Sequence, residues 1–172
     1  MARMRVESRS AVTYCALPVE VTMRTLAAAL SPAFEELERY MASRGIQPSG
    51  PSLVRYRTVS ESAPFVVEVG WVVEESPWID MPFVADTLPE GRYAVAEHHG
   101  PFAQVSAITG ELLEWGRAEE MVFDVIHTVE GSDWASWYEL YSGDAVYGPH
   151  GPAGAVEVCL GVIDERPRHD AR

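Results

Sequence analysis

The chain contains no lysine, so each of its 13 basic side chains is an arginine. Asp and Glu together number 26, which gives a formal net charge of −13. A surface of that sign repels the phosphate backbone of nucleic acids, so we expect no nucleic-acid partner. The same surface raises the local concentration of cationic small molecules, although an acidic surface also serves solubility alone.

Cysteine is scarce, and long apolar runs are missing. Only Cys15 and Cys159 occur, each within an apolar stretch, which is typical of buried reduced thiols in a cytoplasmic protein. No apolar segment approaches the ~20 residues that span a bilayer. The charged N-terminus is not followed by the hydrophobic block of a secretory signal. We therefore expect a cytoplasmic protein without membrane contact.

The short motifs of catalysis and cofactor binding are also absent. The sequence has no CxxC, HExxH, GxSxG, P-loop or GxGxxG pattern. His98 and His99 are adjacent, so in a strand they would face opposite sides and would not bind one metal ion together. We expect no metal and no cofactor. No nucleophile stands beside a base, so any catalysis would be general acid–base chemistry by a carboxylate such as Glu139.

What is present is the composition of one packed domain, with 172 residues of which 47% are hydrophobic and 23% charged. Apolar periodicity predicts the order strand, helix, strand, strand, and then the same order again. The first helical pattern, ended by Gly45, is interrupted at Ser31 and Pro32, which predicts a short turn at 23–29 before a longer helix. The predicted strands are 11–17, 53–59, 64–73, 92–99, 133–141 and 155–163.

This order divides the chain into two similar units. Residues 8–75 are predicted to form one β-α-β-β module and residues 91–165 a second. Residues 76–90 are a connector whose aromatic side chains lie against the body, and 166–172 are a disordered tail. Each module is too small to bury its own core, so the two are expected to share one and to leave a cleft between them. The predicted fold class is α+β, with antiparallel sheets and a central ligand cleft.

The densest aromatic patch lies in the predicted strand 133–141. Side chains alternate along a strand, so Trp137, Glu139 and Tyr141 point to one face. Either Glu139 points to solvent while the aromatics cover a sheet edge, or the three side chains line a pocket. In a pocket the rings would contact flat cations, each contact being worth ~0.5–2 kcal/mol, and the carboxylate would supply the opposite charge. The candidates for a second acid, among which spacing does not choose, are Asp133, Glu157 and Glu68.

Three parts of the sequence resemble the GyrI-like effector-binding domain family. They are residues 88–102, which contain His99-Gly100-Pro101-Phe102, the helix that follows, and the strand from Trp137 to Tyr141. Residues 45–56 resemble the family's link from the first helix to the second strand, so the resemblance covers about residues 10–163. The chain departs from the family at Gly161, where relatives often have proline, and in a longer connection over 117–133.

The resemblance implies a tandem repeat of β-α-β-β modules around a central pocket for diverse, often cationic and aromatic, small molecules. It places the pocket acid at Glu139, with Tyr141 beside it. If the protein is an enzyme, these two are the candidate catalytic residues. The full set of candidate ligand-binding residues is Glu139, Trp137, Tyr141, Tyr56, Trp71, His99 and Phe102.

The resemblance leaves three functions open. We rank first the binding of aromatic, lipophilic, cationic small molecules, for sequestration or sensing of toxins. The second is hydrolysis of the cyclopropane ring of DNA-alkylating natural products, which some family members without a DNA-binding module carry out. The third is an interaction with gyrase. Because the first predicted strand begins by residue 11, we expect no N-terminal helix-turn-helix module, and we expect a monomer or a weak homodimer.

Overall fold

The computed structural model describes residues 2–163, so the predicted tail at 166–172 lies outside the described residues. The described part has an α+β architecture of one nine-stranded antiparallel sheet and two α-helices. The helices are α1 (Leu26–Arg44) and α2 (Val105–Ala118). The strands are β1 (Arg3–Arg9), β2 (Val12–Val21), β3 (Ser52–Val59), β4 (Phe65–Val72), β5 (Val84–Leu88), β6 (Gly91–Pro101), β7 (Val125–His127), β8 (Ser132–Gly148) and β9 (Gly151–Val162).

The strand order is β1-β6-β9-β8-β3-β4-β2-β5, and β7 pairs with β8. From the centre outward, β3-β4-β2 in one half corresponds to β8-β9-β6 in the other. Helix α1 packs on β2 and β4, and α2 packs on β6 and β9. The α+β class is confirmed, although the strands form one continuous sheet whose halves meet edge to edge at β3 and β8. Their description as two repeated modules stays a prediction.

The two outer strand pairs form one long ribbon. In β1 with β6 and again in β2 with β5, each residue n pairs with residue 100 − n, from Arg3↔Glu97 to Ala16↔Val84. The ribbon therefore begins with β1 and β6, at one end of the strand order, and continues with β2 and β5, at the other end. Only two residues join β5 to β6, although these strands lie near opposite ends of the strand order. The sheet must curl to bring them together.

Strand β1 corrects the prediction that the first strand begins at residue 11. Residues 3–9 do alternate as a strand does, but every second position is charged. The segment therefore lacks the apolar alternation that predicts a buried strand. In the structure Arg5 and Arg9 bind Glu157 across the sheet at 2.5 and 2.9 Å, and Arg5 also binds Glu97 at 2.9 Å. Paired charges thus take the place of the apolar face that sequence patterns detect.

The predicted connector 76–90 is wrong in two respects. Residues 84–88 form strand β5, which extends the sheet beyond β2. Phe83 does lie against the body, with its ring stacked on Tyr40 at 3.8 Å between centroids. Trp78 and Met81, however, are 93% and 92% exposed, so part of the connector's apolar surface faces solvent.

Helix α1 is continuous and begins earlier than predicted. It contains Pro32 in its interior, so no separate helix starts at Ser31. The chain enters the helix through a turn in which the backbone N–H of Thr22 donates to Thr25 Oγ1 at 2.9 Å. The helix buries a single apolar stripe that includes Leu37 and Met41. It continues past Pro32 because this packing outweighs the one backbone hydrogen bond that the proline cannot form.

The sheet buries both of its faces. On the helix side, one apolar cluster lies under α1 and another under α2. On the other side, the curled sheet packs against itself around Tyr14, Tyr93 and Tyr138. Cys15 and Cys159 are buried and unpaired, as predicted. Within residues 2–163, no helix is long and apolar enough to cross a membrane.

Candidate functional site

The central strand pair β3–β8 brings the predicted site residues together. Its register places Trp137 opposite Tyr56, Glu139 opposite Val54 and Tyr141 opposite Ser52. Trp137 and Tyr141 contact the clusters on the helix side of the sheet, whereas Tyr138 belongs to the cluster on the other side. The alternation predicted for this strand is therefore what the structure shows.

Glu139 is buried at the centre of this group, with only 4% of its surface exposed. The Tyr141 hydroxyl donates a hydrogen bond to Glu139 Oε1 at 2.6 Å, and the Tyr56 hydroxyl donates to the same oxygen at 3.3 Å. Among the described residues, no side chain donates to the second oxygen, Oε2, and no arginine or histidine forms an ion pair with the carboxylate. The acid therefore lacks a cationic partner within this part of the chain.

This environment shifts the titration of Glu139. Burial disfavours the charged form and raises the pKa of the carboxyl from 4.5 to about 7, while the hydrogen bonds from Tyr141 and Tyr56 lower the pKa and offset part of the effect. Burial also raises the pKa of both tyrosine hydroxyls, and the neighbouring carboxylate raises them further. Both tyrosines therefore remain protonated donors near neutral pH, where Glu139 exchanges its proton.

Aromatic rings surround the acid. Tyr56 stacks on Trp137 with 4.5 Å between ring centroids, and Phe102 meets Tyr141 edge to face at 5.1 Å. Trp137 and Tyr141 each contact the apolar cluster beneath α1 and the one beneath α2. The candidate site is thus an aromatic seam between the two helices, with Glu139 at its base.

A cleft of about 360 Å³ opens beside this seam. Its walls include Trp71 and Tyr141, which flank Ser52 on neighbouring strands, and it also contacts Pro51 and Asp144. Glu139 does not line the cleft. Tyr141 lines the cleft and also donates to Glu139, so this tyrosine connects the cleft with the buried acid.

A larger hollow of about 490 Å³ lies along the connector, between Trp78 and Ala85. It is lined by apolar and small side chains and contains no titratable group. We assign the candidate site to the smaller cleft, because only that one adjoins a buried acid with a shifted pKa.

Of the other predicted site residues, the structure brings Tyr56 and Phe102 into the seam and places Trp71 across the cleft. His99 lies elsewhere, since its side chain is 69% exposed and its ring contacts Glu97. The adjacent His98 is the buried member of the pair, and it contacts the Pro101 carbonyl. The geometry gives His99 no contact with the site, because strand alternation turns it to the opposite face of β6.

None of the three candidate second acids reaches Glu139. Glu68 and Glu157 lie on the other face of the sheet and bind arginines, while Asp133 accepts a hydrogen bond from Thr58 at 2.8 Å. The acid that does lie beside the cleft is Asp144, which sequence reasoning missed. The Ser-Gly-Asp run at 142–144 is a turn signal within a strand, but it does not say which way the chain turns. Across residues 2–163, no group of three His, Cys, Asp or Glu side chains is arranged to hold a metal ion.

No family model matches the sequence, and no curated protein matches it. Several solved structures share its fold. The EcmrR C-terminal domain aligns with a TM-score of 0.66 at 13% identity, covering 95% of this chain and 98% of that domain. EcmrR in a complex with DNA aligns with a TM-score of 0.68 at 13% identity over 94% of this chain, which spans only 57% of the EcmrR chain.

Two further structures extend the comparison. SAV2435 bound to tetraphenylphosphonium has a TM-score of 0.61 at 11% identity, over 97% of this chain and 98% of that one. A protein described as a hydrolase from Listeria innocua has a TM-score of 0.59 at 11% identity, over 94% and 92%. At these identities the likeness shows the fold alone. That fold is a mostly antiparallel sheet with two helices.

Proposed function

We propose that this chain is a GyrI-like effector-binding domain that binds aromatic, lipophilic cations between its two helices. The observation that carries the proposal is Glu139, a buried carboxyl walled by aromatic rings with no cation beside it from residues 2–163. Glu139 supplies the negative charge, and Tyr56, Trp137, Tyr141 and Phe102 supply ring surface. A ligand of this kind would be sequestered or sensed.

The energetics favour a cationic ligand over a neutral one. Ionising a buried carboxyl is costly when no opposite charge is near, which is why burial raises the pKa of Glu139. A bound cation would stabilise the ionised form, and each contact with an aromatic face would add ~0.5–2 kcal/mol. Tyr141 is the residue that a ligand in the cleft would share with the acid, because it lines the cleft and donates a hydrogen bond to Glu139.

The comparisons support a small-molecule ligand in general terms. SAV2435 has this fold and was solved with tetraphenylphosphonium, an aromatic cation without hydrogen-bond donors. Such a ligand is recognised through rings and charge alone, and those are the two features that the seam around Glu139 offers. The other predicted properties, a cytoplasmic location, a monomer or weak homodimer and no nucleic-acid partner, remain part of the proposal.

The test is a titration with tetraphenylphosphonium at pH 8, followed by tryptophan fluorescence and by calorimetry. Glu139→Gln should weaken binding by about 1–3 kcal/mol, roughly fivefold to 150-fold, because the charge partner is lost and the shape is kept. Glu114→Gln, which removes one exposed carboxylate from α2, is the matched control and should bind as the wild type does. Equal affinity of the wild type and Glu139→Gln would remove Glu139 from the site.

A second candidate function is hydrolysis, favoured by the titration of Glu139 near pH 7. A carboxyl with a pKa of about 7 serves as a general acid or base at neutral pH, and Tyr141, which donates a hydrogen bond to Glu139, is the second candidate catalytic residue. One structural neighbour is described as a hydrolase. Incubating catalytic amounts of protein with a cyclopropane-bearing alkylator should then give the ring-opened, water-added product by mass spectrometry. Product limited to one equivalent would leave binding as the function.

A further inference from the structure

Strand β8 is irregular at the mouth of the cleft. Its pairing with β9 shifts register between Ser142 and Val146, and Gly143 has a left-handed φ of 75°. In a regular strand, Gly143 and Asp144 would face opposite sides of the sheet. Here the bulge turns the chain so that Ser142, Gly143 and Asp144 all line the cleft. An acidic residue thereby joins a cleft whose other lining residues are two aromatic residues, two glycines, a proline and a serine.

The mouth has the chemistry of a cation site. Trp71 and Tyr141 lie on either side of Ser52, so their backbones are about 10 Å apart, two strand spacings. Asp144 is exposed and forms no ion pair with any arginine or histidine among the described residues. Two aromatic walls with a free carboxylate attract an aromatic cation, and no protein cation competes with it.

We propose that Asp144, Trp71 and Tyr141 form an outer cation site, and that Asp144 and Glu139 together select elongated ligands that carry two cationic groups. This inference rests on the proposed function, because Glu139 must bind the first charge. The two acids are five positions apart on β8, which sets an upper limit of about 17 Å on the separation of their Cα atoms. Tyr141 lies between them and contacts both the cleft and the inner acid.

The experiment compares two phosphonium cations. One is a bis(triphenylphosphonium) cation with a ten-carbon linker, and the other is decyltriphenylphosphonium, which keeps the chain but has one charge. Affinities of the wild type, Asp144→Asn and Glu114→Gln are measured by calorimetry at pH 8. Asp144→Asn should weaken the dication about fivefold and the monocation less than twofold, because only the dication places a charge at the mouth. Glu114→Gln should change neither.

The possible results separate this inference from the proposed function. Wild-type protein that binds the monocation, with equal dication affinity for Asp144→Asn, would overturn the outer site and leave the inner site standing. The same conclusion would follow if Asp144→Asn and Glu114→Gln lowered the affinity for the dication equally, since the loss would then come from the overall negative charge of the protein and not from a site at Asp144. Failure of the wild type to bind either cation would overturn both proposals. A selective loss of dication affinity in Asp144→Asn supports the outer site.

Discussion

The two faces of the central sheet each bury a glutamate, and they treat it in opposite ways. On the curled face, Glu68 accepts hydrogen bonds from Tyr14 and from Arg57, and Arg55 donates to the same Tyr14 hydroxyl at 2.9 Å. On the helix face, Glu139 has two tyrosine donors, and no arginine of the described part of the chain binds it. Both glutamates are less than a tenth exposed. The first is neutralised by the protein itself, whereas the second is left to titrate or to meet a ligand charge.

This difference separates a buried acid whose charge the fold compensates from one that has no cationic partner among the described residues. The Glu68 cluster holds four strands together, because Arg57 also binds Asp86 of β5 and Arg55 donates to the Thr87 carbonyl at 3.1 Å. Its charges balance within the fold, and it adjoins neither cleft described above. Glu139 contributes no such cross-link. Its charge is unbalanced, and that is costly for folding and useful for binding.

The largest expected effect is on the pH dependence of stability. The folded pKa of Glu139, about 7, lies above the ordinary value of 4.5, so between these limits the folded state binds more protons than the unfolded state. The free energy of unfolding should therefore fall as pH rises from 5 to 8, on the order of 2–3 kcal/mol from this group. Urea unfolding of the wild type and of Glu139→Gln across this pH range measures the effect, since the variant has no carboxyl to titrate at this position.

The control for that measurement is Glu114→Gln, which should follow the wild type across the pH range. If the wild type and Glu139→Gln showed parallel stability profiles between pH 5 and 8, the carboxyl would titrate normally. The contrast between the two faces would then lose its physical basis.

The next largest expected effect is the difference in stability between variants of the two buried glutamates. Glu68→Gln should destabilise the protein by about 2 kcal/mol, because it removes the buried carboxylate that accepts hydrogen bonds from Tyr14 and Arg57. Glu139→Gln at pH 8 should be neutral or stabilising, because it removes an unbalanced buried charge. Both are read from urea unfolding at pH 8. Destabilisation of similar size in both variants would contradict the distinction.

A smaller effect concerns ligand affinity and pH. A cation binds the ionised form of Glu139, so tetraphenylphosphonium should bind about tenfold more tightly at pH 8 than at pH 6. Above about pH 8 the affinity should level off. Calorimetry in buffers of different ionisation enthalpy reports the proton released on binding. An affinity that does not change with pH would mean that binding of the ligand does not depend on the charge of Glu139.

The smallest effect distinguishes the two tyrosines. Tyr141→Phe removes the shorter hydrogen bond to Glu139, 2.6 Å against 3.3 Å for Tyr56, and so should raise the pKa of the carboxyl by about half a unit to one unit. Tyr56→Phe should raise it less. Carboxyl chemical shifts followed through a pH titration measure both changes. A larger shift in Tyr56→Phe would reverse the assignment of the stronger donor.

The sequence predicted much of the secondary structure but missed parts that depend on pairing. Strands with apolar alternation, such as 53–59, were found because their burial leaves a periodic signal. Strand β1 was missed because its half-buried face carries Arg5, Glu7 and Arg9 in place of apolar side chains. Glu7 pairs with both arginines, which also bind Glu97 and Glu157, about 90 to 150 positions away. The sequence predicted a break at Pro32, because the local propensity of proline is against a helix interior. In the structure α1 continues through Pro32, because tertiary packing outweighs that propensity.

The sequence by itself determined that Trp137, Glu139 and Tyr141 share one face, since a strand alternates its side chains whatever surrounds it. Only the tertiary structure decided that this face is buried, that Tyr56 reaches the acid from β3, and that no arginine within residues 2–163 does so. It also decided that His99 turns away and that Asp144, beside a bulge, lines the cleft. The physical reason is that alternation is a property of the backbone, whereas burial and charge pairing depend on which distant strands lie side by side.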